Sequence, residues 1–110
     1  MSYSNYETTC AANVVLNKQH LHDYDVEAKA IQYLETLSIS ASIDRLAGLF
    51  ERIIYNEIKR AIDLNKDSFA TKIVMYGLNN IQYKEIANEY VFEKLCNRIC
   101  IPDEVVTMCM

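Results

Sequence analysis

The chain has 110 residues with eleven Lys/Arg against fifteen Asp/Glu, a formal net charge of −4 and a pI near 5.1. One domain is the size prior, and 51% apolar residues with two Gly and one Pro exclude a collagenous, low-complexity or disordered chain. The acidic balance argues against nonspecific nucleic-acid binding, which runs on excess positive charge, and no apolar run approaches the roughly 20 residues of a membrane span.

So few Gly and Pro cannot supply the tight turns of an all-β domain, so the expected fold is all-α, a bundle of four or five helices in a single domain over 1–110. Residues 1–9 are polar and tyrosine-bearing and read as an irregular N-terminal arm. Cys10 to Gln19 fits a short helix, although its β-branched content also permits a strand. Asp25 to Leu37 is a firmer helix: Val26, Ala30, Tyr33, Leu34 and Leu37 share one face, and Asp23 or Asp25 can cap its start.

Ser38, Ser40 and Ser42 are cap-competent, and the strongest pattern begins after them. From Ser42 to Leu64, Ile43, Leu46, Ala47, Phe50, Ile53, Ile54, Ile58, Ala61 and Ile62 recur at three and four, predicting a long central helix. Asp67 or Ser68 then caps a helix from Phe69 to Leu78, within which 71–76 would also tolerate a strand. Gly77 to Asn80 is a break. Gln82 to Cys100 reads as a second well-patterned helix, with Ile86, Ala87, Tyr90, Val91, Leu95 and Ile99 inward. Pro102 opens a short last helix from Asp103 to Met108.

The opening residues lack a basic, apolar leader, and four cysteines (Cys10, Cys96, Cys100, Cys109) form no CxxC pair. These features imply a reducing cytoplasm with cysteines serving as small buried apolar residues. Heavy use of Asn, Ile, Tyr and Lys suits an AT-rich genome such as that of a virus or phage. His20, His22, Asp23 and Asp25 offer imidazole and carboxylate donors for zinc, iron or manganese, which Cys96 and Cys100 could complete. The plainer reading is a solvated loop before a helix cap, and no metal is expected. Neither a GxSxG elbow nor a phosphate-cradling glycine loop is present, so no catalysis and no cofactor are expected.

Three periodic series stand out, two at seven-residue spacing and one at four. Arg45, Arg52, Lys59 and Lys66 form a basic ridge on the central helix, and Glu85, Glu89 and Glu93 form an acidic one at four-residue spacing. The ridges either meet or are two solvated faces. Phe69, Tyr76, Tyr83 and Tyr90 make an aromatic stripe if the chain stays helical through Gly77–Asn80. Base stacking on it would need positive charge, yet from Asp67 onward four Lys/Arg face six Asp/Glu. Tyr83–Tyr90 resembles the first helix of helix-turn-helix domains, but Val91 stands where that motif needs a turn glycine.

The expected function is therefore a small cytoplasmic protein–protein interaction module, such as a regulator, adaptor or host-factor inhibitor. Its expected partner is another protein, first of all a second copy in a helix-paired homodimer, with neither nucleic acid nor membrane involved. The residues expected at the interface are Arg45, Phe50, Arg52, Ile53, Lys59, Tyr76, Tyr83 and Tyr90. A helix-turn-helix-like DNA-binding regulator is the alternative, and a metal-dependent enzyme built on His20, His22 and Asp23 is the second.

Overall fold

The computed structural model describes residues 3–63 and 68–95. Within them the chain is all-α: six α-helices and a terminal π-helical turn, with no strand. The two segments for which a strand was conceivable, 10–19 and 71–76, are helical, the first of them divided between two helices. The last part of the Gln82–Cys100 prediction, the Asp103–Met108 helix, Lys66 and the cysteines Cys96, Cys100 and Cys109 lie outside the described residues.

Helix α1 spans Tyr6–Val15, so the irregular arm expected over 1–9 is corrected from Tyr6 onward, while Tyr3 to Asn5 precede the helix. Asn5 is the reason. Its Oδ1 accepts from the Thr8 backbone N–H at 2.8 Å and from Thr8 Oγ1 at 2.7 Å, satisfying a donor that a helix start leaves open. Asn5 Nδ2 donates to the Asn80 carbonyl at 2.7 Å, and the buried Thr8 hydroxyl accepts from Gln82 N–H at 2.9 Å. Ser4 bonds Glu85 through its backbone N–H and its hydroxyl. The first helix is thereby stapled to the turn at Asn80–Gln82.

Leu16 and Asn17 separate α1 from the short α2, Lys18–Asp23, which Asn17 caps. Asp25 then turns the chain in the left-handed region, φ 51°, a conformation that Asp tolerates better than most residues. In that geometry Asp25 makes no side-chain cap to α3, Val26–Thr36, and Asp23 instead accepts from Gln19, so neither expected cap forms.

Helix α4, Ile39–Ala61, is the central element, 23 residues and about 35 Å long at 1.5 Å per residue. It starts three residues before the predicted Ser42 because Ser38 is the cap, accepting from Ala41 N–H at 3.1 Å, while Ser42 is buried and donates back to the Ser38 carbonyl. Leu46, Ala47, Leu49, Phe50, Ile53 and Ile54 form its buried stripe. Ile62 is extended, which ends the helix before Leu64.

Ser68 caps α5, Phe69–Asn79, and a short turn leads to α6, Tyr83–Glu89, and the π-helical turn Tyr90–Leu95. The core gathers on α4: Ala11, Ala12 and Val15 from α1, Val26 and Ala30 from α3, and Ile86, Ala87, Tyr90 and Val91 from the last segment. Tyr90 meets Phe50 edge to face, with centroids 6.2 Å apart and ring planes at 83°, the arrangement that aromatic quadrupoles favour.

This packing corrects the interface expectation at three positions. Phe50, Ile53 and Tyr90 are fully buried within one chain and present nothing to a partner. Phe50 and Ile53 lie on the buried stripe of α4, and Tyr90 packs against it.

Candidate functional site

Helix α5 departs from the rule that one face of a surface helix is polar. Thr71, Val74 and Leu78, spaced i, i+3, i+7, turn toward the protein and are buried or half-buried. Phe69, Ile73 and Tyr76, spaced i, i+4, i+7, form a second stripe on the opposite side at 80%, 55% and 72% exposure. Met75 is a further exposed large apolar residue. The only charge between Phe69 and Asn79 is Lys72. An isolated exposed Leu or Phe is ordinary on a protein surface, whereas a contiguous apolar stripe is uncommon.

Beside this stripe runs an apolar groove of about 320 Å³. Tyr6, Cys10 and Val14 of α1, Ile54 and Ile58 of α4, and Val74, Gly77 and Leu78 of α5 line it. Gly77 joins groove and stripe, and a Cβ there would meet no atom within 4 Å, so the groove stays open on that side. Tyr6 is 78% exposed at the rim. Cys10 is exposed as well, against the expectation of a buried thiol.

One wall of the groove holds a cluster of polar contacts. Val14 and Glu57 both line the groove, and His20 bonds to both. His20 Nδ1 lies 2.6 Å from the Val14 carbonyl and Nε2 lies 2.9 Å from Glu57 Oε1. Both of these neighbours are acceptors and favour a proton on each ring nitrogen, with one donor opposing them at Nδ1. Asn17 Nδ2 also sits 2.9 Å from Nδ1. Its own Oδ1 is committed to His20 N–H, so the amide cannot turn its oxygen toward the ring. The bond to Val14 is the largest influence raising the His20 pKa above its ordinary value; Glu57 and Asp23 add to it, and burial opposes it. Nearby, Tyr24 packs against the His20 ring and accepts from Asn56 Nδ2, so α2 and the start of α3 are pinned to α4 twice.

The expected solvated loop at His20–Asp25 is therefore helical as far as Asp23, with a turn at Tyr24 and Asp25. His20 turns inward with 16% of its side chain exposed, while His22 points outward at 86% beside Asp23. The structure does not bring the two imidazoles together, and among the described residues no group of three or more His, Cys, Asp or Glu is placed to hold a metal ion.

The aromatic series divides at the turn after Asn79. Tyr76 is exposed, Tyr83 is half-buried against the core, and Tyr90 is inside. Burial raises the Tyr83 hydroxyl pKa well above its ordinary value near 10, and Glu51 and Tyr55 add to this. The chain runs from α6 straight into the π-helical turn, with no helix-breaking residue between them. Of the ridges, Arg45, Arg52 and Lys59 are exposed on α4. One ion pair between α4 and α6 has the opposite polarity to the expected one: Lys84 Nζ to Asp44 Oδ1 at 3.1 Å. Arg45 and Arg52 instead overlook a second, polar cleft against α3.

No protein-family model matches this chain, and neither curated proteins nor solved structures show a similarity to it. No helix among the described residues is long and apolar enough to cross a membrane. Sequence reasoning missed Ile73 and the groove. The available signal was α5 itself, an 11-residue helix with a single charge.

Proposed function

We propose that this chain is a protein–protein interaction module, without catalysis of its own, that binds through the outer stripe of α5 and the adjoining groove. The observation that carries this reading is the double-sided apolarity of α5, with Phe69, Ile73 and Tyr76 in solvent. An apolar stripe left in water gains free energy when another apolar surface covers it.

The partner we favour is a second copy, pairing α5 against α5 about a two-fold axis. Two nearly uncharged helices meet without like-charge repulsion, and aromatic and aliphatic knobs on one copy meet the Gly77 gap on the other. Light scattering in reducing buffer tests it. Twice the 12.7 kDa of one chain is expected, reverting to one chain for Ile73→Asp or Tyr76→Asp. A wild-type mass of one chain across the micromolar range overturns the homodimer. Both substitutions fall at exposed positions, so helical content is expected to stay unchanged.

A further inference from the structure

The second cleft lies on another side of α4, between it and α3, with a volume of about 310 Å³. Its walls are unlike those of the apolar groove. Lys29 and Tyr33 come from one turn of α3, and Arg45 and Arg52 come from one face of α4, two turns or about 10.5 Å apart along the axis. Gly48 lies between the two arginines, and a Cβ there would meet nothing within 4 Å. The floor between the cations is thus bare helix backbone, with the side of Leu49 as an apolar patch.

Charge is concentrated here against the trend of the chain. The protein carries −4 overall, yet three cations surround this one cleft. Among the described residues none of the three has an ion-pair partner. The one carboxylate in the lining, Asp44, is held by Lys84 from α6 at 3.1 Å, which offsets its charge. Like charges gathered without a counter-ion repel one another, and two arginine forks beside a lysine suit a dianionic oxygen cluster. The volume exceeds what a lone oxyanion fills and falls at the lower end of small-molecule sites. Tyr33 and Leu49 supply contact for a carbon body beside the charged head.

We infer that the α3–α4 cleft binds a small organic phosphate, the phosphate held by Lys29, Arg45 and Arg52 and the carbon body lying over Gly48 between Tyr33 and Leu49. This site is separate from the α5 face, and neither reading depends on the other.

Phenyl phosphate is the probe, titrated into isotopically labelled full-length protein and followed by amide chemical shifts. Saturable shifts centred on Lys29, Tyr33, Gly48 and Leu49 are expected, with inorganic phosphate binding more weakly because it lacks the ring. The double variant Arg45→Ala/Arg52→Ala should lose about tenfold in affinity or more. Asp44→Asn should bind several-fold tighter, since it removes the opposing carboxylate. Gly48→Leu fills the floor and should abolish binding while the helix, freed of a glycine, folds at least as well. Three results would each overturn the site: equal shifts from sodium sulfate at matched ionic strength, shifts centred elsewhere, or a Gly48→Leu variant that binds like wild type. Inorganic phosphate binding as tightly as phenyl phosphate would overturn the role given to Tyr33 and Leu49.

Discussion

Helices α4 and α5 both carry a high share of apolar residues, 12 of 23 on the first and 7 of 11 on the second, and only α4 keeps all of its large ones from solvent. Helix α4 buries a single stripe, Leu46, Leu49, Phe50, Ile53 and Ile54, and keeps Arg45, Arg52 and Lys59 in water. Helix α5 buries Thr71 and Leu78 and leaves Phe69, Ile73 and Tyr76 outside. Periodicity tells which residues of a helix share a face. It does not tell which face meets the protein when both are apolar, and α5 is that case. The excess on α5 is what a partner would cover.

The comparison can be broken most forcefully at Phe50. Phe50→Ala removes a fully buried ring on α4 and should cost about 3–5 kcal/mol by urea unfolding, whereas Phe69→Ala at the start of α5 should stay within about 0.5 kcal/mol. Near-equal losses would mean that α5 is packed as tightly as α4.

His20 comes next. Replacing it with Ala leaves the Val14 carbonyl and the half-buried Glu57 without their bridge, for a loss of about 1–2 kcal/mol. The pH dependence has a definite sign. The folded pKa is raised above the unfolded value near 6.5, so the native state binds the proton more tightly. The stabilisation is complete below about pH 6.5 and is lost as pH rises through the folded value. Urea midpoints at pH 5.5 and 8.5 should therefore fall on going alkaline, and His20→Gln should flatten that fall. A His20→Gln variant with the wild-type slope would assign the dependence to another group.

A smaller effect sharpens the α4 side. Gly48 lies inside the long helix, exposed and with room for a methyl group, so Gly48→Ala should add about 0.8–1 kcal/mol. The thermal midpoint should rise by a few degrees. The smallest change in stability is expected for Ile73→Asp, within about 0.5 kcal/mol for the single chain, because its side chain is exposed and takes no part in the core.

The all-α class and the existence of most helices were legible because local periodicity and the shortage of Gly and Pro determine them. Boundaries were less so. Ser38, Ser40 and Ser42 are equally good caps by type, and the choice of Ser38 follows from burying Ser42 in the packed stripe. The N-terminal helix was lost among polar residues since its support comes from Asn80 and Gln82, more than seventy residues away. His20 had the same difficulty: His-Leu-His-Asp reads as surface, and only Glu57, 37 residues later, draws the ring inward. The aromatic heptad failed for a different reason. The turn at Asn80 resets the helical phase, so residues in step by number face opposite ways, Phe69 out and Tyr90 in. Phe50 and Ile53 were named as interface because a stripe that suits a dimer seam and one that suits a monomer core have the same spacing.

The staple between Asn5 and the turn at Asn80 also sets an order of events in the cell. At synthesis rates of about 5–20 residues per second, the 75 residues between the two partners take roughly 4–15 s to appear. Throughout that interval the emerging chain has α1 without its anchor and α4 without Tyr90 to cover Phe50. A chain halted before Asn80 therefore lacks both the carbonyl that anchors Asn5 and the ring that covers Phe50.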